Sequence, residues 1–401
     1  QQPQAAAETL APGSEACGSQ GEAWIEGRQI LLGHGAPVRI WPSTLRRLTP
    51  TRRCTSLMAS RRPSRATVAT LATLRLPLLV ILQLALGPVA SSCPKKDALR
   101  PCSCFSFQNY VRVECKDVDR RALKNALTTL RGAFVFEFEL SKYNLKDVPS
   151  DVFSGVRVTE LYTYMADFTN VCNSSNLFDG FDDNLTMIEI RRAKGLEHLH
   201  WSALGRLKNL QRLFVFSSDF PRLHKSFSLM PKSLTHVMVQ GGSLEHVDEG
   251  AFAGLEIRDL EISFTRLDKI TRNVFPTPAT SLSVLSLRHN RIRSLPEDMF
   301  SDMPALTLLD VSNNYLQTLS ESSMAPVLRN LRLLEMSNNQ YYCDCNLTWV
   351  GRAFTNSNYL DRFWQRNDIT CNAPPHLYGT DVLTLTDENL ACANLVPLST
   401  Q

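Results

Sequence analysis

The spacing of apolar residues between positions 282 and 341 is the most regular pattern in the chain. The pattern is apolar, two variable, apolar, one variable, apolar, two variable, Asn, one variable, apolar, and it occurs three times. The copies begin at Leu282, Leu306 and Leu331, which are 24 and 25 residues apart. Alternating apolar positions predict a short strand buried on one face. A repeat of this length predicts a solenoid, because one coil must share its core with its neighbours.

The pattern extends towards the N-terminus with less regular spelling. Six further coils begin, at intervals of 23 to 27 residues, at Val135, Val158, Leu185, Leu210, Leu234 and Ile257. The asparagine position is occupied there by Tyr143, Ala166, Ala193, Ser218, Gly242 and Thr265. An asparagine amide can bond backbone groups that no neighbouring strand reaches. We therefore expect irregular turns in these six coils.

Amphipathic helices with coincidental leucines are the alternative interpretation of the regular coils. The pairs Asn313-Asn314 and Asn338-Asn339 argue against it, because asparagine is unfavourable in the middle of a helix.

Two groups of four cysteines bracket the repeats. They are Cys93, Cys102, Cys104 and Cys115 on one side and Cys343, Cys345, Cys371 and Cys392 on the other. Four cysteines permit three pairings in each group. Both groups contain a C-x-C pair, which is too closely spaced for a zinc finger.

The repeat spelling and the cysteine groups resemble those of extracellular leucine-rich repeat proteins with cysteine-rich N- and C-terminal caps, similar to Slit and connectin. The segment from Tyr342 to Trp349 carries the resemblance to the C-terminal cap. The resemblance implies an α/β fold, a right-handed leucine-rich repeat solenoid (horseshoe) with a parallel concave sheet and disulfide-bonded caps. It also implies the pairs Cys93–Cys104, Cys102–Cys115, Cys343–Cys371 and Cys345–Cys392.

The chain before Cys93 has no such periodicity. We expect residues 1–57 to be upstream or disordered sequence. Residues 58–92 contain arginines, then the apolar run Leu76 to Leu86, then small residues, which is the layout of a secretory signal peptide. A membrane anchor is the alternative, but the run is shorter than the ~20 residues that span a bilayer. The expected domains that follow are an N-terminal cap (93–132), about nine repeats (133–341), a C-terminal cap (342–393) and a tail (394–401).

The charge of the chain is distributed unevenly between the part before Cys93 and the remainder. The chain carries a net charge of +4. The part before Cys93 contains 10 basic and 4 acidic residues, which leaves 33 basic and 35 acidic residues in the remainder. A nucleic-acid-binding protein would need a basic stripe, so we expect no nucleic-acid partner. We also expect a secreted product without a membrane span in its mature form.

Three N-x-S/T sequons predict glycosylation at Asn173, Asn184 and Asn346. Cys172 is left over from the cap pairing, and it could cross-link two chains or lie sheltered inside a coil. We find no catalytic motif, and His198 with His200 are too few ligands for a closed metal site. We expect no enzyme activity, no cofactor and no metal.

The variable residues of each strand point away from the core, onto the concave face. In the second to sixth coils several of these residues are aromatic or methionine, the types enriched at interface centres. The candidate ligand-binding residues are Tyr162, Tyr164, Met165, Glu189, Arg191, Arg212, Phe214, Phe216, Met238 and Phe264. The charged members, Glu189, Arg191 and Arg212, are expected to form a charged rim or partner contacts. A register shifted by one residue is the alternative, and it would send the aromatic residues into the core.

These features predict a secreted, non-catalytic module that recognises an extracellular protein ligand on its concave face. Three alternatives stay open: an extracellular matrix or assembly protein, including a stabilising subunit, the truncated ectodomain of a leucine-rich repeat receptor, and, as the least favoured, a secreted enzyme. A homo-oligomer is possible under the assembly alternative.

Overall fold

The computed structural model describes residues 92–390, except 109, 145–152, 170–177, 182 and 356–368. Several predicted features lie outside the described residues: the upstream segment 1–57, the signal peptide except Ser92, the tail 394–401, Cys172, Asn173 and Cys392.

Fifteen strands and three helices form within the described residues. The strands are β1 (Ser103–Phe107), β2 (Tyr110–Lys116), β3 (Phe134–Ser141), β4 (Arg157–Tyr164), β5 (Met187–Arg191), β6 (Arg212–Phe216), β7 (Arg222–Leu223), β8 (His236–Gln240), β9 (His246–Val247), β10 (Asp259–Ser263), β11 (Val284–Ser286), β12 (Leu308–Asp310), β13 (Leu333–Glu335), β14 (Tyr341–Tyr342) and β15 (Cys371–Ala373). The helices are α1 (Arg120–Thr129), α2 (Glu321–Leu328) and α3 (Thr348–Thr355). Short 3₁₀ turns, such as Trp201–Leu204 and Lys225–Leu229, lie on the outer side of several coils.

One sheet of eleven strands organises the repeats. Its order is β1-β2-β3-β4-β5-β6-β8-β10-β11-β12-β13, and every pair except β1 with β2 is parallel. The nine predicted coils each contribute one of the strands β3 to β13. The expectation of a leucine-rich repeat solenoid with a parallel concave sheet is confirmed.

The asparagines of the regular coils bond the backbone as the sequence predicts. Asn314 Nδ2 lies 2.9 Å from the Leu287 carbonyl oxygen and 3.1 Å from that of Val311. Its Oδ1 accepts the Ile292 N–H at 3.1 Å. Asn290 and Asn339 make equivalent bonds. Each asparagine therefore satisfies buried groups of two adjacent coils.

The expectation of irregular turns in the other coils is wrong. All nine coils have a residue of positive φ in the turn that follows the strand. In the first eight coils its N–H donates to the next coil; these residues are Lys142, Met165, Arg192, Ser217, Gly241, Phe264, His289 and Asn313. Other residues fill the asparagine position without changing the backbone. Ser218 Oγ accepts the Ala193 N–H at 3.1 Å. A Cβ at Gly242 would collide with the Ser218 carbonyl oxygen, so the coil after Ser218 needs glycine there.

The N-terminal cap contains a hairpin and a helix that the sequence analysis missed. Strands β1 and β2 add an antiparallel hairpin to the first coil. Helix α1 begins at Asp119, whose carboxylate accepts the Ala122 N–H at 2.7 Å, and it buries Leu123 and Leu127. The disulfides Cys93–Cys104 and Cys102–Cys115 hold the hairpin as predicted.

The C-terminal cap closes the last coil. The predicted disulfide Cys343–Cys371 forms. Cys345 is also disulfide-bonded, and its predicted partner Cys392 lies outside the described residues. The buried Trp349 donates its Nε1–H to the Leu319 carbonyl oxygen at 2.8 Å. The cap thereby continues the hydrophobic core of the repeats.

An aromatic column fills the outer part of the core in the irregular coils. Ring centroids lie 5.2 Å apart between Trp201 and Phe227, and 5.4 Å apart between Phe227 and Phe252. The Phe252 and Phe275 rings follow at 6.2 Å. The buried Phe300 occupies the equivalent position in the first regular coil, and Met324 occupies it in the next.

Candidate functional site

Strand β6 fixes the orientation of the candidate site. Leu213 and Val215 are each 1% exposed and face the core. Phe214 and Phe216 alternate with them and stand half-buried on the concave face. A register shifted by one residue would have reversed this arrangement, so that alternative is excluded.

Parallel pairing aligns the candidate residues into two rows across the sheet. Tyr162, Glu189, Phe214 and Met238 are register partners on β4, β5, β6 and β8. The second row places Tyr164, Arg191, Phe216 and Gln240 on the same four strands. Adjacent strands lie roughly 4.8 Å apart. We call the cluster of Tyr162, Tyr164, Phe214, Phe216 and Met238 the inner aromatic patch.

Glu160 organises one end of this patch, and the sequence analysis missed it. Its carboxylate accepts the Tyr162 hydroxyl at 2.9 Å and Arg212 Nη2 at 2.6 Å. Met187 lies between Glu160 and Arg212 in the sheet register and is buried. Burial of the phenol, and then its bond to Glu160, raise the pKa of Tyr162. Glu160 occupies the same strand position as the candidate residue Arg212, but its acidic side chain alone does not distinguish it from other charged strand residues.

The charged residues predicted as a rim do not all lie at the edge. Glu189 is only 9% exposed and accepts the Arg191 Nε–H in the middle of the patch. The Arg191 guanidinium carbon in turn lies 4.4 Å from the centroid of the Phe216 ring. The buried carboxylate thus positions a cation on an aromatic face, and the expectation of Glu189 on the rim is corrected.

Met165 and Phe264 lie on the turns after their strands, not within the rows. Both have a positive φ, and they are 42% and 44% exposed. Phe264 stacks on His289 with ring centroids 4.0 Å apart, and the Arg288 guanidinium lies 5.3 Å from its centroid. Phe264 directly follows β10, and strand β8 lies between β10 and the strand of Phe216. It forms a separate aromatic site at the carboxyl edge of the sheet.

The glycosylation candidates that the structure describes lie away from the inner aromatic patch. Asn184 is partly exposed and precedes β5, so it is at the amino end of the strands. Asn346 is exposed in the C-terminal cap, where its Nδ2 lies 3.0 Å from an Asp344 carboxylate oxygen. Glycans at these positions would leave the patch accessible.

Metal-ligating clusters and membrane-spanning helices are absent from the residues that the structure describes. There, no group of three or more His, Cys, Asp or Glu is arranged to hold a metal ion. No described helix has the length and apolar character to cross a membrane.

Comparison with known families agrees with the geometry of the sheet and the caps. Residues 280–340 match the family model of the leucine rich repeat, and residues 368–393 match that of the leucine rich repeat C-terminal domain. The chain thus contains leucine-rich repeats and a leucine-rich repeat C-terminal domain. The matched regions are the regular coils and the C-terminal cap, where the pattern is also plainest by eye.

Several known proteins are similar to parts of this chain. Leucine-rich repeat and fibronectin type-III domain-containing protein 4 of Rattus norvegicus is 28% identical over 149 residues, 34% of this chain and 21% of that protein. Vasorin of Mus musculus is 32% identical over 38% of this chain and 22% of its own length. Toll-like receptor 8 of Homo sapiens is 27% identical over 51% of this chain and 20% of its own length. The chain thus spans about a fifth of the curated relatives it matches.

A chain from the octameric complex of Latrophilin 3, Unc5D and FLRT2 (LRR) is also similar in structure. The TM-score is 0.40 at 19% identity, and the match covers 64% of this chain and 91% of the other chain.

Proposed function

We propose that this protein is a secreted, non-catalytic binding module that recognises a protein ligand on the concave face, centred on the inner aromatic patch. The module comprises the N-terminal cap (93–132), the repeats (133–341) and the C-terminal cap (342–393). One observation carries the proposal: aromatic side chains stand on the open face of β4 and β6, on either side of β5, while Leu213 and Val215 of β6 are buried.

The patch suits a protein ligand because it is apolar and already ordered. Aromatic and methionine side chains are enriched at the centres of protein interfaces. The polar groups between them bond one another, as Tyr162 and Arg212 do with Glu160. A ligand would therefore bury the rings without leaving these groups unpaired. Pre-organised side chains also lose less entropy on binding.

Secretion is supported by the cysteines. The three described disulfides of the caps are typical of proteins that mature in an oxidising compartment. The leader-like sequence of residues 58–92 favours the same route.

The test is quantitative capture of ligands from extracellular fluid with the disulfide-bonded chain, followed by affinity measurement on the captured protein. Phe214→Asp places a charge at the centre of the patch. We expect it to weaken binding by about 2 kcal/mol or more, roughly 30-fold, as for a central hot spot. Tyr342→Asp is the matched control, because Tyr342 is an exposed aromatic residue in the C-terminal cap. A ligand that binds Phe214→Asp and the wild type equally would overturn the proposal.

A further inference from the structure

Strand β1 forms an open edge of the eleven-stranded sheet. It pairs in the sheet with β2 alone, over five consecutive residues without a bulge. Within the described residues, one side of its backbone therefore faces no other strand. Such an edge presents donors and acceptors that fit another strand.

The side chains of β1 do not protect this edge. The strand reads Ser-Cys-Phe-Ser-Phe and contains no charge and no proline, the devices that usually prevent edge pairing. Phe105 and Phe107 are 61% and 63% exposed. Their register partners are Arg112 and Tyr110, so all four side chains share one face of the sheet. The apolar edge thus continues onto the aromatic ring of Tyr110.

The charge beside the centre of β1 is already neutralised within the same chain. Arg112, opposite Phe105, has its Nη2 2.7 Å from a carboxylate oxygen of Glu139 and its Nη1 3.6 Å from Glu137. A second copy of β1 would therefore meet a paired cation at the level of Phe105, and the carboxylate of Glu114 lies only at the level of Ser103. Antiparallel alignment centred on Phe105 pairs all five residues, and it sets Phe105 opposite its own equivalent. Any other register pairs fewer residues.

The other end of the sheet favours a closed pair over a filament. The last coil is covered by the C-terminal cap, whose Leu347, Trp349 and Val350 belong to the continuous core. A head-to-tail contact would need a second open edge, whereas an isologous contact needs only one. A two-fold axis at β1 uses the same edge twice.

We propose that two copies of this chain pair through β1, in antiparallel register about Phe105, to form one continuous sheet. The strand is short, and the contact is smaller than the roughly 1,600 Å² of a standard interface. The dimer is therefore expected to be reversible and dependent on concentration.

Sedimentation equilibrium of the exported, disulfide-bonded chain over a wide concentration range is the test. The wild type should shift from monomer to dimer as concentration rises. The double variant Phe105→Lys, Phe107→Lys should remain monomeric at all concentrations tested, because it places two positive charges on each edge. Leu229→Lys is the matched control, since Leu229 is 59% exposed on the outer turn Lys225–Leu229 and should leave the dimer unchanged.

Hydrogen exchange of the wild type supplies a second measurement that needs no variant. Amides of Ser103–Phe107 should become more protected as concentration rises, while those of the outer 3₁₀ turns should not. A wild type that stays monomeric, or a dimer that the double variant leaves intact, would overturn the proposal. The result is separable from ligand capture: Phe214→Asp should still dimerise, and the double variant should still bind the ligand.

Discussion

Two groups of coils reach the same backbone conformation with different side chains. They are the regular coils from Leu282 to Tyr341 and the irregular coils before them. In the regular coils, asparagines bond the turn from inside, and the concave positions carry mainly small or acidic residues such as Ser286, Asp310 and Ser312. In the irregular coils, aromatic residues fill the outer core, and further aromatic residues stand on the concave face. Both halves nevertheless have the same turn conformation after the strand.

This difference teaches that the coil does not depend on one particular residue at the asparagine position. The repeated backbone bonds between adjacent coils impose the turn. Local side chains such as Ser218 then satisfy what remains. A chain built in this way can change its concave residues in some coils without disturbing the stack. The irregular half supplies the candidate binding surface, and the regular half is the part that family comparison detects.

The largest expected effect is a difference in the free energy of unfolding between two kinds of substitution in the irregular half: those at buried rings and those at rings on the concave face. Phe227→Ala removes a buried ring that contacts both Trp201 and Phe252, and it should lower the free energy of unfolding by about 3–5 kcal/mol. Phe214→Ala should change it by less than about 1 kcal/mol, because its ring stands on the open face. Urea unfolding monitored by circular dichroism measures both. Equal losses would mean that the concave rings are structural.

The next prediction compares the stabilising effect of asparagine and of serine at the asparagine position of the coil. Asn314→Ala leaves the buried Ile292 N–H without its Oδ1 acceptor. It also removes one donor from the Leu287 and Val311 carbonyls, which keep Asn290 and Asn339 as donors, so we expect a loss of about 2 kcal/mol. Ser218→Ala removes two bonds, to the Ala193 N–H and the Phe216 carbonyl, and should cost about 1 kcal/mol. The same unfolding assay applies. If Ser218→Ala proved the more damaging change, the asparagine ladder would not be the stronger of the two arrangements.

Much of the fold followed from repetition in the sequence. The predicted start of each coil also predicted which residues are neighbours in the concave rows. This worked because side chains alternate between the two faces of every strand, and adjacent parallel strands align equivalent positions. The cap pairs followed from the resemblance of the cysteine spacing to known caps. The hairpin of β1 and β2 was missed because it lies outside the repeats and has no periodic signal.

The candidate site was less predictable than the fold. Alternation along β6 indicated which way Phe214 would point. It could not indicate that Glu160 bonds Arg212, since the two are 52 residues apart and the contact crosses an intervening strand. It also misplaced Glu189, because burial of that carboxylate depends on Arg191 folding over it. Side-chain contacts across coils depend on rotamers that the period does not encode.

A smaller effect is expected at Glu160, which joins the irregular coils across the concave face. Glu160→Gln removes the charge that holds Arg212 at 2.6 Å while keeping an acceptor for the Tyr162 hydroxyl. We expect a loss of stability of about 1 kcal/mol and a several-fold weaker affinity for the ligand, because Tyr162 and Arg212 become less ordered. Calorimetric binding with wild type, Glu160→Gln and Glu321→Gln measures this. Glu321 is an exposed control that pairs with Arg352 at 2.8 Å, and a decrease of equal size in both variants would count against a specific role for Glu160.

The smallest expected effect is the late alkaline titration of buried tyrosines, which occur in both halves. Burial and the neighbouring Glu137 raise the pKa of Tyr110 to about 12, and burial with Glu160 raises the pKa of Tyr162. Because both phenols have a higher pKa in the folded state, the stability that they contribute is complete below pH ~10, the pKa of an unfolded tyrosine, and is lost as the pH rises through the folded values. Phenolate absorbance should therefore show both tyrosines ionising above pH ~10, together with Tyr341, whose pKa burial also raises. Tyr162→Phe should remove one of these late-titrating groups. A variant that keeps all of them would contradict the burial of the Tyr162 hydroxyl against Glu160.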